Sequence, residues 1–172
     1  KSGVLLSKGY VIIRVKATGS ESVKKKEDII YEIAQHITKI EKKFEELLEQ
    51  YGQNRESIEL HLAYADFITF DLEQPSKAIK HLEKIIPTAT SQFGKGVIQM
   101  KIADILVFSD QFNQALIMYT QIQYDLKNSE LAQEARFKVA RTSYFKGDFQ
   151  WAQNQLKVLK SSTSQLIAND AL

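Results

Sequence analysis

The sequence predicts an all-α fold, in which antiparallel helical hairpins stack in chain order as a solenoid. Apolar residues recur at the spacing of about 3.6 that marks amphipathic helices. Three segments also repeat at an interval of 37 residues, and their matching columns are Ala78, Ala115 and Ala152; Leu82, Tyr119 and Leu156; and Ile85, Ile122 and Leu159. A repeat of this length is typical of arrays whose units bury their apolar faces by stacking on one another.

The composition is that of an ordinary globular protein. The chain has 172 residues, of which 44% are hydrophobic and 26% charged, and its net charge is +2. So small a charge gives no electrostatic reason to expect a nucleic-acid partner. The absence of cysteine excludes disulfides, thiolate nucleophiles and cysteine-based zinc sites. No apolar run approaches the ~18 residues of a transmembrane helix, so we expect a soluble protein, in either the cytoplasm or the periplasm.

The clearest repeat unit spans residues 130–160. Ser129 is placed to cap the start of its first helix, and Gly147 lies in a short turn that makes the second helix run antiparallel to the first. Small side chains at Ala140 and Ala152 allow the two backbones to approach closely. The side chains expected to face inward are Phe137, Ala140, Tyr144, Phe145, Phe149, Ala152, Leu156 and Leu159.

Two earlier units follow the same design. One has a first helix over residues 95–108, a turn over residues 109–111, and a second helix whose inward side chains lie within residues 112–122. The other has its first helix around residues 62–68 and its second helix around residues 78–85.

The N-terminal part, residues 1–55, is expected to form a less regular helical hairpin. Residues 27–51 predict a long helix, and its apolar residues alternate in spacing between three and four: Ile30, Ile33, Ile37, Ile40, Phe44, Leu47 and Tyr51. This heptad spacing fits a coiled-coil seam, but we favour a second helix that packs inside the array. Residues 4–15 suit a first helix, which we favour, or a strand, because residues 11–13 are β-branched. A polar loop is expected over residues 16–26.

The end of the chain indicates that the array continues. Residues 167–171 match residues 131–135, which open the first helix of the clearest unit, at a spacing of 36. We therefore expect a single domain over residues 1–172. It would contain about three recognisable repeats over residues 56–172 and the start of another, as a fragment of a longer array.

These columns resemble the tetratricopeptide repeat. The best-matching unit is Phe137-x-Val139-Ala140-x3-Tyr144-x2-Gly147-Asp148-Phe149-x2-Ala152-x3-Leu156-x2-Leu159, which holds the family's small, large and turn positions. The interval of 37 residues is longer than the family's period of about 34. The resemblance covers residues 56–172. It implies a right-handed superhelix whose first helices line a concave groove, and a non-enzymatic scaffold that binds a protein or peptide there.

Matching positions in the resemblance place a set of side chains on the concave face: Met100, Lys101, Asp104, Phe137, Lys138, Arg141 and Tyr144. The asparagines with which the best-known peptide-binding members clamp a C-terminal carboxylate are absent, so that clamp is not expected. An aromatic side chain near an arginine is a common anchor of interfaces. In the alternative interpretation, Asp104 pairs with Arg141 on the neighbouring first helix, and Phe137 and Tyr144 belong to the core between repeats.

The sequence contains no recognisable catalytic motif. His36, His61 and His81 lack metal-ligand spacing, and residues 93–96 lack the spacing of a phosphate-binding loop. We therefore expect no enzymatic activity, no cofactor, no metal and no small-molecule substrate, and a protein or peptide as partner. The alternative function is that of a structural segment of a larger protein, which self-associates through the heptad face of residues 30–51 or through the cut end of the array.

Overall fold

Seven α-helices make up most of the chain in a computed structural model, which describes residues 3–7, 10–14, 20–52 and 54–160. The elements, in chain order, are β1 (Gly3–Ser7), β2 (Tyr10–Arg14), α1 (Ser20–Tyr51), α2 (Ile58–Phe70), α3 (Pro75–Ile85), α4 (Gln92–Phe108), α5 (Phe112–Asp125), α6 (Glu130–Lys146) and α7 (Phe149–Lys160). Short 3-10 turns at Arg55–Ser57 and Ile86–Thr88 precede α2 and follow α3. The predicted helical fold is confirmed from α1 to α7.

The N-terminal residues form a β-hairpin, so the helix that we favoured over residues 4–15 is wrong. Strands β1 and β2 pair antiparallel, with Gly3 opposite Arg14 and Ser7 opposite Tyr10. The β-branched run that made a strand the alternative favours extended backbone. Helix α1 already begins inside the loop predicted over residues 16–26. The predicted N-terminal helical hairpin is therefore replaced by a β-hairpin and one long helix.

Helices α2 to α7 pack as three hairpins in chain order, α2–α3, α4–α5 and α6–α7. We call α2, α4 and α6 the first helices, and α3, α5 and α7 the second helices. Consecutive hairpins also touch, because α3 packs on α4, α5 packs on α6, and each first helix contacts the next first helix. The expected start of a further repeat, within residues 165–172, lies outside the described residues.

Each hairpin turn contains one residue with left-handed backbone. The φ angles are 53° at Glu73, 58° at Asp110 and 92° at Gly147. Glycine adopts this conformation without strain and aspartate tolerates it better than most residues, so the sequence supports the turn best at Gly147. The predicted cap of α6 is also confirmed, since Ser129 Oγ accepts a hydrogen bond from the Ala132 backbone N–H at 3.1 Å.

Buried alanines occupy the same column in both helices of every hairpin. They are Ala65, Ala78, Ala103, Ala115, Ala140 and Ala152. Bulky side chains fill the space on either side of this column, and Leu82, Tyr119 and Ile122 are almost completely buried. The repeat columns of the sequence are thus the core of the stack.

Helix α1 contacts the stack through part of its apolar face. The ring of Phe44 lies 5.2 Å from that of Tyr64 and 5.4 Å from that of Phe67, between ring centroids. Ile37 and Leu48 are partly buried against the same core. Ile40, however, is exposed, so the expectation that this helix packs inside the array holds for only part of its apolar face. One part of the heptad face therefore packs against the stack, and the other part is exposed to solvent.

Two histidines form a hydrogen-bonded pair between α2 and α3. His61 Nδ1 lies 2.9 Å from His81 Nε2, and His61 Nε2 lies 3.3 Å from the Gly52 carbonyl oxygen. If His61 Nε2–H donates to Gly52, His61 Nδ1 accepts from His81 Nε2–H, and the His61 ring must then be neutral. Burial lowers the pKa of His61. Burial also lowers the pKa of His81 to about 4, and the charge repulsion from His61 adds to this effect.

This pair predicts an acid-sensitive stability. Below pH 6.5 the unfolded chain binds protons that the folded pair resists, so the free energy of unfolding falls as the pH decreases from about 6.5 to about 4. We expect this fall in the free energy of unfolding to be smaller in His81→Gln than in the parent chain, by on the order of 2 kcal/mol. Urea unfolding across that pH range measures it, with His36→Gln as an exposed control. Identical pH profiles for His81→Gln and the parent chain would contradict the assignment.

The alanine column predicts that a larger side chain at position 152 would clash, because Ala152 is only 3% exposed. We expect Ala152→Leu to lower the free energy of unfolding by ~1–3 kcal/mol, because the added carbons must be accommodated between α6 and α7. Urea unfolding measures the effect, and Gln153→Leu at the exposed neighbouring position is the control. An unchanged stability for Ala152→Leu would show that the two helices do not approach there.

Candidate functional site

The surface of the three first helices carries a repeated set of polar and aromatic side chains. We call it the first-helix face and define it by Asp66 and Phe70 of α2; Lys101, Asp104 and Phe108 of α4; and Lys138, Arg141 and Phe145 of α6. Within each helix these residues are three or four positions apart, so they share one side of the helix. The face therefore runs across all three hairpins.

Two ion pairs join neighbouring first helices across this face. Lys101 Nζ lies 2.9 Å and 2.8 Å from the two carboxylate oxygens of Asp66. Lys138 Nζ lies 2.7 Å and 2.6 Å from those of Asp104. Each pair links one hairpin to the next, so the two together fix the order and spacing of the first helices.

A buried tyrosine supports the second ion pair. Tyr119 Oη donates a hydrogen bond of 2.6 Å to Asp104 Oδ1. Burial raises the pKa of the Tyr119 hydroxyl well above its ordinary value, and the Asp104 carboxylate raises it further. The hydroxyl therefore keeps its proton at physiological pH and acts as a permanent donor. Asp104 is held by one contact from the second helix α5 and one from the first helix α6.

The two carboxylates are more exposed than the lysines that bind them. The side chain of Asp66 is 42% exposed and that of Lys101 is 26% exposed. For Asp104 and Lys138 the exposed fractions are 33% and 14%. The surface that a partner would meet is therefore carboxylate oxygen rather than ammonium. Both oxygens of Asp66 and Oδ2 of Asp104 accept one hydrogen bond each and can accept another, whereas Asp104 Oδ1 already accepts two.

The structure separates the predicted concave-face residues into two groups. Lys101, Asp104 and Lys138 lie together in the ion pairs just described. Met100 is 5% exposed and belongs to the core, so its predicted place on the binding face is wrong.

The remaining predicted residues lie toward the last hairpin. Arg141 is exposed, and Asp104 pairs with Lys138 instead of Arg141, which corrects the pairing considered as an alternative. Phe137 is partly buried. Tyr144 is 60% exposed, and its ring centroid lies 5.3 Å from that of Phe149. Tyr144 is therefore at the surface, not in a core between the described repeats.

Sequence reasoning did not recognise a row of phenylalanines on the first-helix face. Phe145 was expected to face inward, which is wrong, and Phe70 and Phe108 were not considered. Phe70, Phe108 and Phe145 lie near the C-terminal ends of α2, α4 and α6, at intervals of 38 and 37 residues. Phe108 and Phe145 are half exposed, and the rings of Phe70 and Phe108 meet edge to face with centroids 5.0 Å apart. The repeat interval could have identified this row, because it is one further column of the alignment.

The described part of the chain contains no candidate metal centre. No group of three or more histidine, cysteine, aspartate or glutamate residues in it is placed to hold a metal ion. Within the same residues, no helix is long and apolar enough to cross a membrane.

Comparison with known proteins does not identify a relative. No protein-family model, no curated protein and no solved structure matches this chain.

The ion pair between α4 and α6 predicts a measurable coupling. In a double-mutant cycle of Asp104→Asn and Lys138→Gln we expect a coupling of about 1–2 kcal/mol in the free energy of unfolding, because the contact is charge-assisted and partly buried. The exposed pair Lys43–Glu46, with atoms 3.1 Å apart, is the control and should give ~0.5 kcal/mol or less. Equal couplings for the two pairs would contradict a role in joining the hairpins.

Proposed function

We propose that this chain is a helical-repeat module of the tetratricopeptide type that binds a protein or peptide through its first-helix face. In this proposal the hairpins form a right-handed superhelix and the first helices line its concave side. The buried alanine columns, the short turns and the contact of each hairpin with the next support it. The face serves binding and not catalysis.

The observation that carries the proposal is the exposed phenylalanine row. Phe108 and Phe145 expose half of their side chains to water, although the core columns of the same helices are fully buried. The exposed halves of these two rings are not used by the core, and contiguous exposed apolar surface is typical of interaction sites. Aromatic side chains are also the ones that supply much of the binding energy at protein interfaces.

The ion pairs make this face suitable for binding without rearrangement. Asp66–Lys101 and Asp104–Lys138 hold the first helices at fixed positions, so the phenylalanines are already in place before a partner arrives. A partner that meets a preorganised surface loses less conformational entropy on binding. An extended segment could then cross several hairpins at once.

A second candidate function is self-association through α1. Ile30, Tyr31 and Ile40 of α1 are exposed, with Ile30 at 65% and Tyr31 at 66%. The heptad spacing places Ile30 and Ile40 on the same side of the helix as Phe44, which contacts the stack. Another copy of the chain could cover the exposed part. A mass in solution that rises with concentration, and does not rise for Ile30→Ser with Ile40→Ser, would favour this function.

The proposed binding face can be tested by capture from a lysate of the source cells. We expect Phe108→Ala with Phe145→Ala to lose a protein that the parent chain retains, because the aromatic anchors are gone. The matched control is Ile117→Ala with Tyr124→Ala, which removes two exposed apolar side chains from the second helix α5.

The melting temperatures of both double variants should stay close to that of the parent chain, since all four side chains are exposed. Retention of the same proteins by the phenylalanine variant and the parent chain would place binding elsewhere on the molecule.

A further inference from the structure

The turns next to the phenylalanine row are acidic. Asp71 and Glu73 follow Phe70, and Asp110 follows Phe108. No lysine, arginine or histidine occurs within residues 70–75 or 108–112. We call Phe70, Phe108 and these three carboxylates the acidic–aromatic strip. Contact between the two phenylalanine rings shows that both turns lie side by side, so their negative charges add locally.

These carboxylates lie where the fold itself does not favour them. Asp71 is the C-cap of α2, and Asp110 directly follows the C-cap Ser109 of α4. The C-terminal end of a helix carries partial negative charge, which stabilises cations and disfavours carboxylates. Partial desolvation also raises the pKa of Asp71. A cation that approached this strip would therefore relieve an unfavourable arrangement of charge.

The third turn contains its own cation, in contrast to the first two. Lys146 Nζ lies 3.1 Å from Asp148 Oδ2, so the carboxylate beside Phe145 is neutralised within the turn. Among the described residues no ion pair joins Asp71, Glu73 or Asp110 to a lysine or arginine. The cationic character that the first two turns lack would have to come from a partner.

We propose that the acidic–aromatic strip binds a cationic segment of the partner, in which arginine or lysine alternates with apolar side chains. Guanidinium groups stack on aromatic rings and form paired hydrogen bonds with carboxylates. The exposed oxygens of Asp66 and Asp104, one helical turn before Phe70 and Phe108, extend the same acceptor surface along the first helices. This inference rests on the proposed function and names the class of partner for the first-helix face.

The probes for this inference are three synthetic peptides that share a leucine spacing and differ only in carrying arginine, glutamine or glutamate between the leucines. Fluorescence anisotropy of each labelled peptide, titrated with the whole chain, measures affinity. We expect the arginine peptide to bind roughly tenfold more tightly than the glutamine peptide, and the glutamate peptide to bind least. Added salt should weaken the binding of the arginine peptide.

The charge variant is Asp71→Asn with Asp110→Asn, in which asparagine suits both the helix end and the left-handed turn. It should bind the arginine and glutamine peptides equally. The control, Glu83→Gln with Asp125→Asn, removes the same charge from exposed positions on the second helices and should keep the arginine preference. The inference is overturned if the parent chain does not bind the arginine peptide, if it binds arginine and glutamine peptides equally, or if the charge variant keeps the preference.

The same data distinguish failure of this inference from failure of the proposed function. If Phe108→Ala with Phe145→Ala loses the captured partner while the peptides show no charge preference, the first-helix face binds a partner that is not cationic. If that phenylalanine variant captures as the parent chain does, the proposed binding face itself is wrong.

Discussion

The two helices of each hairpin must approach closely, and both the stacking of the hairpins and the surface left exposed follow from this approach. Alanine occupies the matching column of both helices in all three hairpins, and every one of these alanines is buried. A larger side chain would hold the helices apart, so these positions determine how neighbouring bulky side chains such as Leu82 and Tyr119 pack against the next hairpin. A single hairpin would leave those side chains in water. Stability therefore requires stacking.

Stacking in turn decides which part of each first helix remains exposed. Met100 is buried in the core, whereas Phe108 on the same helix is half exposed. Between these positions Asp104 is held by Lys138 from the following hairpin and by Tyr119 from its own. Folding thus uses the apolar columns and the ion pairs, and it leaves Phe108 and Phe145 of the phenylalanine row half exposed. That division is the physical reason for placing binding at the row.

The hairpins could be predicted from the sequence because their signals are local. Ser129 caps α6, Gly147 turns the chain, and the alanine columns mark both helices, as the repeat indicated. The β-hairpin within residues 3–14 was missed because a short apolar run fits a helix or a strand equally well until its partner is known.

The binding face was harder to predict than the hairpins. Whether Met100 faces the core or a partner depends on how far the neighbouring hairpin rotates over it, and one unit does not contain that information. The ion pairs join residues 35 and 34 positions apart, which differs from the repeat interval of 37 residues. Asp104 was therefore considered with Arg141, which is at the equivalent position, and not with Lys138 one turn earlier. Phe70 and Phe108 were overlooked because inward-facing residues alone were compared between units.

We propose that a partner binds the first-helix face. Hydrogen exchange of the backbone amides, compared between the free chain and its complex with a captured partner, tests this most directly. We expect slower exchange at the C-terminal ends of α2, α4 and α6 and in the turns that follow them, with α5 unchanged at Ile117 and Tyr124. Protection confined to α1, or to the outer surface of the second helices, would contradict it.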